Sequence, residues 1–356
     1  MVEKYDVIVV GAGPSGSLYA LLTARAGLNT LIIDRAHFPR PKVCLGYFNS
    51  LAIDLLMKMD IEEPFSEVPH SKISRWKISS GKGNPIEWAL QDKDENKALA
   101  LSRPLFDDWL RKLAIQAGAE CLTGVHIQSF VDDETIQTDH GNFKTHLVVG
   151  ADGRKSMIAQ RANPKQSFPP ARRIGWQSNL PSEFVENCMR IHFFDSGYWT
   201  TVPISKDQAS LCFVLTAQAT QTPQFLLSNF FPNAPALVWR SSSPLFRPPC
   251  YSRDNILLIG DACHVWEPLL SEGIYLSLLS AYEASKLTIK ASESKNYKNL
   301  APELNKTLGK IHQPFIPRNH IALNLGLYPK IANKGLKLLS RNPEYFKKFY
   351  RYLSDS

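Results

Sequence analysis

Residues 5–36 read YDVIVVGAGPSGSLYALLTARAGLNTLIIDRA, and this stretch decides the fold. A short apolar run leads into the motif Gly11-x-Gly13-x-x-Gly16, and a helical pattern of apolar residues follows it. A second apolar run then ends at Asp34, 18 positions after Gly16. A strand, a glycine-rich turn, a helix and a second strand with a terminal acidic residue together predict a βαβ unit of a parallel sheet.

The three glycines of this motif are typical of a turn that binds a dinucleotide. Gly11 permits the tight turn, Gly13 lets the backbone approach a pyrophosphate, and Gly16 lets the helix pack closely on the strand. The helix N-terminus would supply amide donors to the phosphates, and Asp34 would accept hydrogen bonds from ribose hydroxyls. FAD and NAD both fit such a unit. The remaining cofactor-binding residues predicted in this stretch are Pro14, Ser15 and Arg35.

Two later stretches also carry Gly and Asp where an apolar run ends. Residues 145–161, THLVVGADGRKSMIAQR, place Asp152-Gly153 behind one such run. Residues 255–262, NILLIGDA, place Gly260-Asp261 behind another. Because a doubly wound sheet can bring the ends of distant strands to one ligand, these stretches extend the predicted dinucleotide site.

A helix start follows the second of these stretches. Pro268 blocks a helix upstream, and residues 271–292, SEGIYLSLLSAYEASKLTIKAS, have apolar residues at helical spacing with no breaker after Gly273. The pattern predicts a helix that begins between Ser271 and Gly273, with an N-terminus where an anion can bind. An ordinary connection from strand to helix, without a ligand, would show the same local pattern.

With these stretches, the chain resembles the flavoprotein superfamily that includes para-hydroxybenzoate hydroxylase-like monooxygenases, geranylgeranyl reductases and flavin-dependent halogenases. The resemblance implies that FAD is the cofactor and that the first motif binds its ADP part. It also implies that Asp261 would hold ribityl hydroxyls and that the backbone from Ser271 to Ile274 would lie near the isoalloxazine. Residues 102–120, SRPLFDDWLRKLAIQAGAE, resemble the superfamily's helix in which an arginine, here Arg103, contacts the cofactor.

Three segments resemble the geranylgeranyl reductase-like branch most closely. Residues 38–56 keep Lys42 and Cys44 of its Lys-x-Cys-Gly segment, with Leu in place of the Gly. Residues 196–203, SGYWTTVP, keep Tyr198 and the flanking Gly and Pro of its Gly-Tyr-x-Trp-x-Phe-Pro strand. The segment SEGIYLSLLSA at the predicted helix start is near both its Gly-Glu-Gly-Ile and the Ser-Ser-Gly-Val-His-Leu-Ala of the halogenases. The paired Trp of the halogenases and the Gly-Gln-Gly-x-Asn of the hydroxylases are not matched.

The resemblance implies an FAD-dependent oxidoreductase that acts on a hydrophobic or aromatic small molecule. A reductase or dehydrogenase acting on a carbon–carbon bond is the first hypothesis. The alternative is a single-component flavin monooxygenase that takes hydride from NAD(P)H and hydroxylates its substrate. A halogenase and an FAD-binding protein without turnover are less favoured. Since the chain carries no second dinucleotide motif, NAD(P)H would bind only transiently as electron donor, or an external donor would reduce the flavin.

The predicted fold class is α/β, with a Rossmann-like FAD-binding domain of the glutathione reductase type 2, an inserted mixed β-sheet substrate domain and C-terminal helices. The inserted segments alternate like strands and are rich in aromatic residues, Ser and Thr, which is typical of a sheet that covers the isoalloxazine. The expected division is 1–70, 100–160 and 250–290 for the discontinuous FAD-binding domain, 71–99 and 165–249 for the covering sheet, and 291–356 for the helices. Breaks in the helical region are expected at Pro314, Pro317, Pro329 and Pro343.

Four side chains are candidates for catalysis near the flavin. His264 would stabilise an oxygen adduct or donate a proton, or it would only hydrogen-bond the loop backbone. Cys44 would line the pocket beside the flavin, or it would be a buried inert thiol. Glu272 would act near the flavin, or it would only cap the helix that it precedes. Tyr198 completes the set, and Trp266 is expected in the same pocket.

The composition limits the class of protein. With 356 residues, 44% of them hydrophobic, the chain can bury a large core. Its six cysteines are scattered without metal-ligand spacing, so neither a metal site nor a disulfide framework is expected. The net charge of +8 suits an anionic cofactor, an acidic substrate or an anionic membrane. The sequence carries no signature of a nucleic-acid-binding module, so nucleic acid is not an expected partner.

The expected location is the cytoplasm, because the first residues enter a strand pattern directly and no apolar run reaches the length of a membrane span. Residues 334–356, KGLKLLSRNPEYFKKFYRYLSDS, mix Lys and Arg with Leu, Phe and Tyr. This tail would lie on lipid headgroups and give peripheral membrane contact, or it would pack as an ordinary basic terminal helix.

Overall fold

The computed structural model describes residues 3–61, 67–81, 85–89, 98–165, 172–243 and 249–339 of the chain. The helices are α1 (Pro14–Arg25), α2 (Ser50–Met57), α3 (Arg103–Gln116), α4 (Met157–Ala162), α5 (Pro223–Phe230), α6 (Gly273–Glu293), α7 (Leu300–His312), α8 (Phe315–Leu327) and α9 (Pro329–Leu339). The strands are β1 (Glu3–Val10), β2 (Thr30–Asp34), β3 (Tyr47–Phe48), β4 (His70–Lys72), β5 (Arg75–Ser80), β6 (Ile86–Ala89), β7 (Leu99–Leu101), β8 (Glu120–Thr123), β9 (Ile127–Phe130), β10 (Thr135–Thr138), β11 (Gly141–Gly150), β12 (Arg173–Pro181), β13 (Met189–Phe194), β14 (Gly197–Pro203), β15 (Gln208–Thr216), β16 (Arg240–Ser242) and β17 (Ile256–Leu258).

The first large sheet is mainly parallel and carries the dinucleotide motif. Its parallel strands run in the order β8, β2, β1, β11 and β17, while β10 and β9 continue antiparallel from β11. In the register of the sheet, Val10 pairs with Gly150, and Gly150 pairs with Leu258. The ends of β1, β11 and β17 therefore lie side by side, as the three glycine- and aspartate-bearing stretches predict.

Two helices hold this sheet edge in place. Helices α1 and α6 pack against each other, and the buried hydroxyl of Tyr19 donates a hydrogen bond to Thr288 Oγ1 at 2.8 Å. Helix α6 begins at Gly273, within the interval that the sequence predicts for a helix start. The N-termini of α1 and α6 thus follow the strands β1 and β17 that end at the same sheet edge.

The second large sheet is mixed, which agrees with the predicted inserted domain. Its order is β16, β12, β15, β14, β13, β5 and β6, with all neighbours antiparallel except the parallel pair β13 and β5. Helix α5 covers one face, where Leu226 and Leu227 join the cluster that contains Trp199 and Phe213. Tyr198 and Val214 are register partners, so they share the opposite face. The predicted α/β fold class, with a Rossmann-like domain and an inserted mixed sheet, is confirmed.

The C-terminal region is helical, but its breaks differ from those expected. Pro314 precedes α8 and Pro329 opens α9, so both prolines mark helix boundaries. Pro317 does not break a helix, which corrects the expectation, because it lies in the first turn of α8, where a backbone N–H has no intrahelical acceptor. Pro343 and residues 340–356 of the basic tail lie outside the described residues.

A third, small sheet joins β3, β7 and β4 in that order. The expected domain boundaries at residues 70 and 100 fall within its strands β4 and β7. The division into three units therefore stays a prediction. Among the helices of the described ranges, none has both the length and the apolar character that crossing a membrane requires.

Candidate active site

A cavity of about 690 Å³ lies between the edge of the first sheet and a face of the second. The glycine-rich turn after β1 and the loop between β17 and α6 form one side, and the second sheet forms the other. Side chains that line the sheet side include Met189, Tyr198, Thr200, Cys212 and Val214. A site that combines backbone turns with an apolar sheet face can hold a nucleotide and an apolar molecule together.

The glycine-rich turn has the close contacts that its sequence predicts. Gly11 has φ +107°, and a Cβ there would lie 2.5 Å from the carbonyl oxygen of Ala151. A Cβ on Gly16 would collide with the carbonyl oxygen of Gly11, so Gly16 permits α1 to pack on the turn. The backbone N–H of Ala12 donates to Asp34 Oδ2 at 2.7 Å, which ties the turn to the end of β2. The turn therefore presents its backbone to the cavity.

One carboxylate in the cavity wall lacks a complete set of partners. Asp152 Oδ2 accepts a hydrogen bond from Met157 N at 2.7 Å. Its other oxygen, Oδ1, is buried and has no hydrogen-bond partner among the described residues. Burial raises the pKa of Asp152 above its usual value. A buried acceptor without a partner fits a ligand that brings hydroxyl donors, as the ribose and ribityl groups of FAD do.

The cavity wall is also rich in cations. Arg103 is buried, where its Nε and Nη2 bond Asp107 and its Nη1 donates to Cys44 Sγ at 3.2 Å. Lys42 Nζ lies 3.9 Å from Asp261 Oδ2. Burial lowers the pKa of Lys42, while Asp261 opposes that shift. The cations that line the cavity are Arg35, Arg40, Lys42, Arg103, Arg154, Lys155 and Arg173. This concentration of positive charge suits the pyrophosphate of FAD.

The fold and this cavity define a flavoprotein of the dinucleotide-binding class. The chain belongs to the family described as FAD binding domain, which matches residues 4–223. FAD is therefore its cofactor, and the protein is an FAD-dependent oxidoreductase. A solved halogenase of similar fold, PltM, contains FAD; its TM-score is 0.71 and its identity is 17% over 85% of this chain and 73% of that chain.

Sequence relatives favour the reductase branch. A digeranylgeranylglycerophospholipid reductase 3 of Methanosphaera stadtmanae is 26% identical over 358 residues, which cover 91% of this chain and 88% of that protein. A digeranylgeranylglycerophospholipid reductase 2 of Methanopyrus kandleri is 26% identical over 324 residues, covering 82% of this chain and 78% of that protein. The chain therefore resembles reductases along most of its length.

Solved structures show the same fold in reductase-like and monooxygenase proteins. A geranylgeranyl bacteriochlorophyll reductase-like protein from Thermoplasma acidophilum has a TM-score of 0.80 at 20% identity, covering 96% of this chain and 92% of that chain. PqsL, a probable FAD-dependent monooxygenase from Pseudomonas aeruginosa, has a TM-score of 0.77 at 14% identity, covering 92% of this chain and 98% of that chain. At these identities the structures establish the fold alone.

The structure brings most of the predicted site residues to this one cavity. Four of them do not line it, and the roles of all the predicted residues in binding or catalysis stay predictions. The predicted residues that line the cavity are Gly11, Gly13, Pro14, Ser15, Asp34, Arg35, Cys44, Arg103, Asp152, Gly153, Tyr198, Asp261, Pro268, Ser271, Gly273 and Ile274. The four that do not are Gly16, Gly260, His264 and Glu272.

His264 lies behind the cavity wall. Its ring stacks on Trp266, which does line the cavity, with centroids 4.0 Å apart. The expected hydrogen bond from the His264 ring to the loop backbone is not formed, because neither ring nitrogen has a partner within the described residues. Burial, assisted by His312, lowers the pKa of His264 to about 3. The ring is therefore neutral at physiological pH and is held by packing.

Glu272 occupies the N-cap position of α6, but its side chain does not cap the helix. Its side chain makes no hydrogen bond to the first turn, which corrects the capping alternative. The carboxyl group is buried, and neither oxygen has a partner in the part of the chain that the structure describes. Burial raises the pKa of Glu272 to about 8, and Arg318 opposes this shift. The group is therefore mainly protonated at pH 7, beside the loop that lines the cavity.

A buried ion pair in the cavity wall has no counterpart among the predicted residues. Arg173 Nη1 and Nη2 donate to Glu267 Oε1 and Oε2 at 2.9 and 2.6 Å, and both residues line the cavity. The hydroxyl of Tyr198 donates to Glu267 Oε1 at 3.4 Å. The two charged residues are 94 positions apart, so no local pattern predicts their pairing. The only sequence signal is a Glu inside the otherwise apolar loop segment VWEPLL.

Proposed function

We propose that this protein is an FAD-dependent reductase of a carbon–carbon double bond in a lipophilic small molecule. The observation that carries the proposal is the continuity of the cavity between the dinucleotide motif and the apolar face of the second sheet. The names of the relatives that match most of the chain support reduction of a lipid, since they are phospholipid reductases. An apolar chamber of this kind would exclude water from a reacting double bond.

The residues of the cavity fit FAD in distinct ways. The backbone from Gly11 to Ser15 would hold the pyrophosphate at the N-terminus of α1, and Asp34 would bind the ribose. Asp152 would accept a hydroxyl at its unpartnered oxygen, and Arg103 would add positive charge. When bound, FAD supplies the two-electron redox chemistry. NAD(P)H, bound transiently, or an external donor would provide the electrons.

Cys44 and Tyr198 are the candidates for contact with substrate. Both line the cavity; Cys44 lies shortly before β3, and Tyr198 lies in the second sheet. Burial, with a further contribution from Glu267, raises the pKa of Tyr198 well above its usual value. Its hydroxyl therefore remains protonated across the physiological range and would orient substrate by exchanging its 3.4 Å hydrogen bond to Glu267 for one to the substrate.

The reaction is tested with FAD-loaded protein that has been reduced under anaerobic conditions. The protein is mixed with geranylgeraniol, and the products are analysed by mass spectrometry. The expected product carries two added hydrogens for each reduced double bond, with stoichiometric return of the oxidised flavin spectrum. A product that gains an oxygen atom after aeration, with no hydrogenated product, would contradict the reductase proposal and support the monooxygenase.

A peripheral contact with an anionic membrane would deliver such a substrate. Helix α9 packs on the second sheet through Ala332, whereas its Ile331 is 66% exposed beside exposed Lys330 and Lys334, and Tyr328, just before the helix, is 50% exposed. Exposed apolar and basic groups on one helix suit a lipid headgroup layer. We expect sedimentation with vesicles containing phosphatidylglycerol and loss of it in Ile331→Asp. Val238→Asp, at another exposed site, is the control; equal loss in both would contradict the proposal.

A further inference from the structure

The wall of the cavity on the side of the second sheet contains a charged pair where an apolar pair would suffice. Arg173 and Glu267 are only 2% and 4% exposed, and they bond through two parallel N–H donors. Replacing such a buried pair by apolar residues of similar size is often neutral or stabilising. A gain in stability therefore does not explain why charges occur in this wall.

Three parts of the chain set the position of the pair. Arg173 opens β12, and Glu267 lies in the loop between β17 and α6. The backbone N–H of Glu267 donates to Asn319 Oδ1 of α8 at 2.6 Å. Gly326, also in α8, has no side chain where a Cβ would collide with Arg173 Nη1. The pair is thus held in one geometry against the cavity, which is what recognition of a ligand group requires.

The guanidinium of Arg173 has more donors than Glu267 uses. A guanidinium carries five N–H groups, and Glu267 accepts two of them. Gly175 pairs with Val214, and Val214 pairs with Tyr198, so these three residues lie on one face of the second sheet. Arg173 lies two positions before Gly175 in the same strand and therefore shares that face. Both side chains line the cavity, so the remaining N–H groups of Arg173 can donate to a ligand there, and the Tyr198 hydroxyl can do so when it gives up its 3.4 Å hydrogen bond to Glu267.

We propose that Arg173, Glu267 and Tyr198 form a binding site for a neutral acceptor oxygen, such as a carbonyl or a hydroxyl, on the lipophilic substrate. This inference rests on the proposed function and names its substrate class. Glu267 cancels the charge of Arg173, so a phosphate or carboxylate would gain little from the guanidinium and would lie close to a carboxylate. The surrounding Met189 and Val214 suit the apolar remainder of the molecule.

The test compares three ligands, each with an unbranched chain of eleven carbon atoms, on the FAD-loaded protein: methyl nonyl ketone, undecane and undecyl phosphate. Binding is followed by quenching of tryptophan fluorescence and by perturbation of the flavin spectrum. We expect the ketone to bind roughly tenfold more tightly than undecane, as a hydrogen bond to a charged donor predicts, and more tightly than undecyl phosphate. Equal affinity for ketone and undecane, or preference for the phosphate, would overturn the proposal.

Single substitutions test whether the Arg173–Glu267 pair causes the preference for the ketone over the phosphate. Glu267→Gln leaves the Arg173 charge uncompensated, so undecyl phosphate should gain roughly tenfold in affinity relative to the ketone. Glu186→Gln is the matched control, because Glu186 also accepts from an arginine, Arg190, at 3.0 Å, but does not line the cavity. An unchanged ratio of affinities in Glu267→Gln would overturn the proposal.

A double variant keeps the test decisive where the uncompensated charge impairs folding. Arg173→Met combined with Glu267→Met should fold, retain FAD and bind ketone and undecane equally. If this variant still preferred the ketone, the proposal that the Arg173–Glu267 pair binds the acceptor oxygen would be wrong. If none of the three ligands bound the FAD-loaded wild-type protein, the cavity would not bind lipophilic molecules, and the proposed function would be wrong.

Discussion

The imidazole of His264 lies stacked on the indole of Trp266, with ring centroids 4.0 Å apart and planes 8° apart. Trp266 lines the cavity and His264 does not. The ring of His312, at the end of α7, approaches edge-on, with its centroid 5.6 Å from that of His264. These rings hold the loop after β17 against the C-terminal helices, so this histidine is expected to affect stability first.

His264 makes the stability of the protein depend on pH. The unfolded chain takes up a proton on this histidine near pH 6.5, whereas burial lowers the pKa in the folded chain to about 3. The contribution of His264 to the free energy of unfolding is therefore highest above pH 6.5 and falls as the pH decreases. In His264→Phe, which keeps an aromatic ring on Trp266, the loss from about pH 6 to about pH 5 should shrink by about 1 kcal/mol.

Urea unfolding at several pH values measures this effect. Val238→Phe, an aromatic substitution at an exposed site without a titratable group, is the control and should leave the dependence of the unfolding free energy on pH unchanged. If His264→Phe and the wild type lost equal unfolding free energy between about pH 6 and about pH 5, His264 would be protonated in the folded protein over this range.

Glu272 has the opposite dependence on pH. Its pKa is raised by burial from 4.5 to about 8, so the folded chain retains a proton that the unfolded chain releases. The contribution of Glu272 to the free energy of unfolding is therefore highest below pH 4.5 and declines as the pH rises toward 8. Glu272→Gln removes this decline, and we expect a gain on the order of 2 to 3 kcal/mol at pH 7. Thermal and urea unfolding check the gain, with Glu303→Gln at an exposed site as the control.

The same Glu272→Gln variant also tests the catalytic hypothesis. FAD should remain bound, because Glu272 does not line the cavity. A changed rate of flavin reoxidation or substrate turnover would support a role near the flavin. A change in stability alone would show that the buried carboxyl group serves only the fold.

Gly13 tests the position of the cofactor. In Gly13→Asp a carboxylate would enter the cavity beside the first turn of α1, and its charge would repel the pyrophosphate. We expect loss of FAD during gel filtration, measured from the ratio of flavin to protein absorbance. Gly309→Asp makes the same change at an exposed position of α7 and should retain FAD. A folded Gly13→Asp protein that remains yellow would refute the assignment of the first motif.

Tyr198 and Tyr19 separate a role in turnover from a role in stability. Both are buried, and both donate a hydrogen bond. The bond from Tyr198 to Glu267 is long, at 3.4 Å, whereas the bond from Tyr19 to Thr288 is 2.8 Å. Tyr198→Phe should lower kcat/KM and change stability by less than about 1 kcal/mol. Tyr19→Phe should cost about 1 kcal/mol and leave kcat/KM unchanged. Steady-state kinetics and urea unfolding measure both; equal kinetic effects would show that the Tyr198 hydroxyl does not contact substrate.

The sequence by itself determined the features that depend on neighbouring residues. The turn at Gly11, the close packing at Gly16 and the acidic end of β2 at Asp34 follow from backbone geometry within about 25 residues. The apolar runs also predicted which strands are buried, and the start of α6 at Gly273 follows from a proline and a helical pattern. These are local constraints, so a single chain displays them without knowledge of its partners.

Only the tertiary structure decided which side chains face the cavity. Arg173 and Glu267 are distant in sequence and meet because the second sheet and α8 both pack on the loop after β17. That loop ends in Ser271 with φ +58°, a conformation that few residues adopt and that no pattern in the sequence marks. With the loop in this conformation, Trp266 and Glu267 line the cavity, whereas His264 and Glu272 do not. The direction of a side chain in an irregular loop depends on everything packed around it, and that information is absent from local sequence.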